Sequence, residues 1–263
     1  MKLISLLYIF QAVIIVFDAF VLSQQQQQKC ECASSPSPTP FITSSQNSVL
    51  SSVQCSTNSP LTPTLRQIFV DKHNNYRSTL ANGKSQLPDG SFASPASNMY
   101  KMKYSCDLEI IAQQWADQCV WAHSPAEHRN GGENLYAIIS GSEGAGQYFE
   151  QSVRDSNDAW WNELKDLGGI TSTNVTLTMA AFNTGIGHWS QMAWASTQTI
   201  GCGFRECRRS DGTIMFYVVC NYRPSGNYLN QNIYQTGQPC SRNSSCTSFS
   251  NSFCEISTGL CYT

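Results

Sequence analysis

Twelve cysteines in 263 residues are the strongest constraint on what this chain can fold into. An even count at that density fits a disulfide framework built in an oxidising compartment rather than the cytosol. Spacing alone does not determine which cysteines pair. The length allows one large domain or two small ones with a sizeable core. Sixteen Lys and Arg against eighteen Asp and Glu leave a net charge of −2. That balance argues against nucleic-acid binding by phosphate neutralisation. No run of like charge suggests a membrane-surface or polyanion patch.

The N-terminus agrees with the cysteines. Lys2 precedes residues 3–17, which are apolar except for Ser5 and Gln11, and the small residue Ser23 follows. This predicts a signal peptide over residues 1–23, cleaved near Ser23 and Gln24. An uncleaved anchor over 3–22 is the competing reading, but Asp18 interrupts it. No later segment is apolar enough to span a membrane, so secretion to the extracellular space is expected. The sequons Asn174-Val-Thr176 and Asn243-Ser-Ser245 are compatible with that route.

Residues 24–63 are rich in Gln, Ser and Pro. Such a composition buries too little surface to offset chain entropy, so a disordered spacer is expected. Order is expected from about Thr64. Leu65, Ile68, Phe69, Tyr76 and Leu80 fall at helical spacing, with Pro63 before them and Gly83 after. Leu108, Ile111, Ala112, Trp115, Cys119 and Ala122 form a second stripe, predicting a helix from Asp107 to about Ala122. A third helical region runs from Gly146 to about Asp166. Strand-like runs are 134–139, 199–204 and 214–222, the last two joined through Asp211-Gly212 as a hairpin. Three helices with three antiparallel strands predict an α+β layered domain over 64–235. Residues 236–263 carry Cys240, Cys246, Cys254 and Cys261 and are too few for a core, so disulfides must hold them.

The chain has four histidines. His188 lies in GHWSQMAW (187–194), and His123 closes CVWAHS. His128 follows, then Gly131-Gly132-Glu133-Asn134-Leu135. Glu163 comes soon after Trp160 and Trp161. His73 falls on the first helix and reads as structural; His128 reads as a residue of a solvated loop. No HExxH, GxSxG or paired CxxC motif is present. Taken singly, these residues specify nothing beyond a secreted, disulfide-rich α+β domain.

Four motifs in order carry more: HNNYR (73–77), the span from His123 to Leu135, GHWSQMAW, and CNYRPSGNY (220–228). Together they resemble the CAP superfamily of cysteine-rich secretory, antigen 5 and pathogenesis-related-one proteins. YSCDLEIIAQQWADQC (104–119) is most similar to the nematode venom-allergen-like, or activation-associated secreted, branch. The resemblance implies a three-layer α-β-α sandwich with a short disulfide-rich tail. It also implies a cleft lined by the tetrad His123, Glu133, Glu163 and His188. Two neutral imidazoles, His123 and His188, would hold Zn²⁺ or another divalent cation as a labile site, with the carboxylates available to a bound water. Asn134, Ser190 and Gln191 adjoin tetrad residues in sequence as candidates to orient them. The four tryptophans Trp160, Trp161, Trp189 and Trp194 are expected in the core, with at most one or two at the cleft.

The same resemblance narrows the disulfides to Cys202–Cys220, Cys119–Cys207 and Cys55–Cys106, with the four tail cysteines pairing among themselves. Cys30 and Cys32 are left over, and an inter-chain bond is the expectation for them. For function it implies a non-catalytic extracellular binding or signalling protein of the host-interaction or immune-modulation type, with an unidentified protein partner or receptor. Sterol or fatty-acid transport is one alternative. Metal-dependent hydrolysis, with Glu133 and His188 as weak catalytic candidates, is another.

Overall fold

The computed structural model describes residues 53–55, 57–141 and 145–263. The segment 1–23 expected to be a signal peptide, most of the 24–63 segment, and Cys30 and Cys32 lie outside those residues. Along the chain the larger elements are helix α1 (Pro63–Ala81), strand β1 (Lys103–Tyr104), helix α2 (Cys106–Ala116), helix α3 (Ala126–Arg129), strand β2 (Gly132–Ser140), helix α4 (Ala145–Leu167), helix α5 (Met179–Phe182), helix α6 (Gly187–Ala193), and strands β3 (Thr199–Arg208) and β4 (Ile214–Arg223). A short hairpin, β5 (Phe253–Glu255) and β6 (Leu260–Tyr262), closes the chain. The main sheet runs in the order β1-β3-β4-β2, with β2 at one edge. Strands β3 and β4 form the expected antiparallel hairpin, with Cys202 opposite Cys220.

Pro63 is the first residue of α1 rather than the residue before it. Thr62 is the cap, its Oγ1 accepting the Leu65 N–H at 3.3 Å. Proline suits that position because its missing N–H would have no partner there and its φ is already helical. Ordered packing also starts before Thr64. Leu61 is buried, and Thr57 donates to Glu109. The reason is a buried ion pair. Arg66 holds Glu109 through two bonds, at 2.6 and 2.9 Å, and Tyr104 OH adds a third at 2.6 Å. A buried charge pair needs its remaining acceptor sites filled, and the strap before α1 supplies Thr57.

The two faces of the sheet explain the three layers. Alternate residues of β4 point to opposite sides. Phe216, Val218, Cys220 and Tyr222 pack with residues of α1, α4 and α6 in the main core. Met215, Tyr217 and Val219 pack with Ala112 and Ala116 of α2 on the other face. Helix α2 lies almost on the backbone of β3. A Cβ at Gly201 would fall 2.3 Å from Glu109 N, and one at Gly203 would fall 2.5 Å from Gln113 Cα. Glycine at these two positions is therefore what allows the close approach.

The 236–263 segment is docked as well as stapled. Tyr100 is fully buried among Cys240, Cys246 and Cys261, and Leu260 joins the main core. Backbone bonds join Lys101 N to Cys261 O at 2.7 Å and Cys261 N to Met99 O at 2.8 Å.

Two buried groups of α1 fix the frame. The Arg77 guanidinium donates to five carbonyls, those of Tyr100, Met192, Trp194, Ala195 and Thr197, at 2.7–3.2 Å. Burial lowers its pKa to about 9, so it stays charged at neutral pH. His73 is also fully buried. Its Nδ1–H donates to Phe69 O at 2.8 Å, so Nε2 accepts from Tyr222 OH at 3.0 Å. Burial, only partly opposed by the Phe69 bond, lowers its pKa to about 3.

Two outcomes are expected. Arg77→Met leaves five buried carbonyls without their donor and should destabilise the fold by about 3 kcal/mol or more; a denaturant-unfolding change below about 1 kcal/mol would contradict the clamp. For His73, the unfolded chain takes up a proton near pH 6.5 while the folded chain resists until about 3. Stability should therefore fall as pH drops through that window. His73→Gln should show a shallower loss between pH 7 and 5, and parallel curves for the two proteins would rule this contribution out.

Candidate functional site

The stripe that predicted a helix to Ala122 overruns the real end of α2 by six residues. Cys119 adopts φ 56° and is bonded to Cys207. A left-handed residue cannot continue a right-handed helix. Beyond it the chain doubles back, and Trp115 Nε1 donates to Ala122 O at 2.8 Å. That places His123 beside β2. Its Nδ1 lies 2.9 Å from Glu133 Oε1. Ser124 donates its N–H to the same oxygen at 2.8 Å and its hydroxyl to Oε2 at 2.7 Å. Burial alone would raise the Glu133 carboxyl, but the bonds from His123 and Ser124 outweigh it and hold the pKa below the ordinary value.

The second pair is built the same way on the other side of β2. Glu163 comes from the last turns of α4. Its Oε1 lies 2.5 Å from His188 Nδ1. Its Oε2 accepts the N–H groups of His188 at 3.0 Å and Trp189 at 2.9 Å. These are first-turn amides of α6 with no partner within the helix. Trp160 stacks on the His188 ring, with centroids 6.0 Å apart, and ties itself to β2 by donating Nε1 to Leu135 O at 2.9 Å.

Glu133 shares with Leu135 the face covered by α2, whereas Glu163 rises from the layer on the opposite face. The tetrad is thus two His–Glu pairs meeting across the edge strand. Each carboxylate accepts from an Nδ1–H, which fixes the tautomer and leaves Nε2 with its lone pair. Resemblance had implied carboxylates turned toward a metal-bound water. Here both are engaged by imidazole, amide and hydroxyl donors of the chain itself. The donor set suits a cation through two imidazole nitrogens. His123 and His188 side chains are 56% and 34% exposed, while Glu133 and Glu163 are at 1% and 15%. Among the described residues, no three tetrad donor atoms lie within 4.8 Å of one another. Three cysteines do form such a cluster, Cys240, Cys246 and Cys254, and their sulfurs are in disulfides.

The neighbouring residues divide. Asn134 Nδ2 donates to His188 O at 3.1 Å, so it braces the backbone of that residue. Ser190 Oγ lies 2.6 Å from Asn227 Oδ1 and makes no bond to a tetrad side chain. Gln191 fills the space over Gly132, accepts from Gly226 N at 2.9 Å and donates to Thr197 Oγ1 at 3.1 Å. Both therefore hold the 224–227 loop on α6 rather than orienting a tetrad side chain. His128 is half-buried in α3, its Nε2 3.4 Å from Ile111 O, and not in a solvated loop. Trp160, Trp161, Trp189 and Trp194 are all buried, and of these four Trp160 alone touches a tetrad ring. Asn174 and Asn243 are exposed. Two residues that pattern reading passed over matter here: Ser124 holds Glu133, and Arg77 holds carbonyls around the end of α6. Ser124 carried no signal; Arg77 stood in HNNYR without a role.

Among the described residues there are five disulfides: Cys55–Cys106, Cys119–Cys207, Cys202–Cys220, Cys240–Cys254 and Cys246–Cys261. The second anchors the turn that delivers His123.

Residues 70–222 match the model of the cysteine-rich secretory protein family. An Ancylostoma secreted protein from Ancylostoma caninum is 36% identical over 214 residues, covering 79% of this chain and 46% of that protein. Peptidase inhibitor 16 from Bos taurus is 33% identical over 193 residues, covering 72% and 36%. The chain thus spans less than half the length of these relatives. Among solved structures, BmVAL-1 superposes with a TM-score of 0.72 at 36% identity, covering 80% of this chain and 99% of that one. The crystal structure of NaASP2 with Zn²⁺ gives 0.67 at 33% identity, covering 79% and 100%. With the three-layer fold, the ordered motifs and these matches together, the chain belongs to the cysteine-rich secretory protein (CAP) family.

Proposed function

We propose that this is a secreted, non-catalytic binding protein whose cleft offers His123 Nε2 and His188 Nε2 to a labile divalent cation. The observation that carries this reading is the use of both carboxylates. Glu133 and Glu163 are held on Nδ1 atoms and backbone N–H groups, the arrangement that orients a metal-ligating imidazole and raises its basicity. The relative solved with Zn²⁺ supports the choice of cation. A bound cation would supply Lewis acidity and a polarised water. Among the described residues, all four oxygens of the tetrad carboxylates already accept hydrogen bonds from the protein itself. That favours recognition of a partner over hydrolysis, so the cleft reads as part of a docking surface for an extracellular protein or receptor. Among the described residues no helix is long and apolar enough to cross a membrane, which is compatible with release from the cell.

A lipid-carrying role has one observation in its favour, a groove of about 310 Å³ beside Leu65 and Phe149. It is at the small end for a ligand pocket, and Glu150 lines it too, so it ranks second.

Calorimetric titration with ZnCl₂ should show one saturable site in the wild type. His123→Ala and His188→Ala should each abolish it, and Glu133→Gln should weaken it by about tenfold or more. Affinity should fall as the pH is lowered, because protons compete for Nε2. Identical titrations for the wild type and both histidine variants would remove the site. EDTA-sensitive peptide or ester cleavage that disappears in a Glu133→Ala/His188→Ala double variant would overturn the non-catalytic reading.

A further inference from the structure

On a different part of the surface, segments 194–196 and 230–235 enclose a groove of about 480 Å³. Its rim carries Asn98, Ser196, Asn230, Gln231, Asn232 and Gln235, and no charged side chain lines it. Trp194 and Tyr234 close its floor and are almost fully buried, so recognition falls to the polar rim rather than to ring stacking.

The rim is partly fixed and partly free. Asn98 Oδ1 accepts from Gln235 N at 2.8 Å, and Asn232 Oδ1 accepts from Thr176 Oγ1 at 2.8 Å. Each of these amides is thereby oriented with its Nδ2 donors uncommitted. Ser196 Oγ and the side-chain amides of Asn230, Gln231 and Gln235 make no hydrogen bond to another described residue. The frame beneath is rigid. Ala195 N donates to Ile233 O at 2.9 Å, and Arg77 grips the carbonyls of Trp194 and Ala195.

The chemistry of this rim selects by elimination. Without Lys or Arg it has no charge for a phosphate or sulfate. Without Asp or Glu it has none for an amine or metal ion. Its mixture of amide donors, amide acceptors and a hydroxyl complements a neutral ligand that both donates and accepts at closely spaced positions. We propose that the groove is a binding site for a neutral saccharide. The sugar has two potential sources. One is a glycan on another molecule. The other is this chain's own glycan at Asn174, because the sequon's Thr176 is bonded to Asn232 on the groove wall.

The test uses the whole protein secreted from eukaryotic cells, as wild type and as Asn174→Gln. Both are titrated with tri-N-acetylchitotriose, mannotriose and maltotriose by calorimetry and saturation-transfer NMR. Saturable binding of at least one trisaccharide is expected, weakened by about tenfold or more in Gln231→Ala/Gln235→Ala. Those side chains are exposed, so the unfolding temperature should not move. Binding to both forms identifies an external sugar, and binding only to Asn174→Gln identifies the chain's own glycan as the occupant. If none of the three binds either form saturably, or if binding survives the double variant unchanged, the proposal is wrong.

Discussion

The Arg77 guanidinium is the contact on which the arrangement of the functional half depends. It is buried, forms no ion pair with a carboxylate among the described residues, and is solvated by five carbonyl dipoles. Two of those belong to Met192, near the end of α6, and Trp194, just after it, where the helix dipole favours a cation. Glu163 sits at the opposite end of α6, on the first-turn amides. The seven-residue helix is therefore held by a buried cation at its C-terminus and a carboxylate at its N-terminus. Seven residues would not hold a helix on their own in water. Its position, and with it the position of His188, is imposed from α1 and α4.

His123 is held by different means to the same effect. A disulfide to β3 stops α2, Trp115 turns the chain back, and Glu133 takes the imidazole from the sheet edge. Both imidazoles thus depend on contacts with rigid elements rather than on the loop or the short helix that carries each. This is why one exposed and one half-buried ring can be preorganised. Because the carboxylates serve that role from one side each, the edge strand β2 is the common mount. Glu133 approaches from one face of it, and Asn134, on the other, holds the backbone of His188.

Much of this was legible in the residues. Periodicity located α1 within a residue, and the strand-like runs 199–204 and 214–222 with Asp211-Gly212 between them identified the β3–β4 hairpin. Helix α6 was illegible to periodicity because residues 189–193 are all buried, so no polar face contrasts with an apolar one. Helix α2 was overextended because Cys119 and Ala122 continue its stripe, and nothing in the pattern marks Cys119 as left-handed. Arg66, Glu109 and Arg77 were passed over because charged residues on helices usually face solvent. The identity of the tetrad came from the family resemblance. Which way its carboxylates point came only from the coordinates, since identical residues serve equally well as ligands, bases or orienters.

The account rests on Nε2, not carboxylate oxygen, being the atom presented by each pair. Anomalous diffraction at the zinc edge from Zn²⁺-soaked crystals tests this directly. The account predicts an ion at about 2.0–2.1 Å from His123 Nε2 and His188 Nε2, with Glu133 and Glu163 still on the Nδ1 atoms. An ion ligated by either glutamate, or a cleft that takes up no zinc while the metal binds elsewhere, would contradict it.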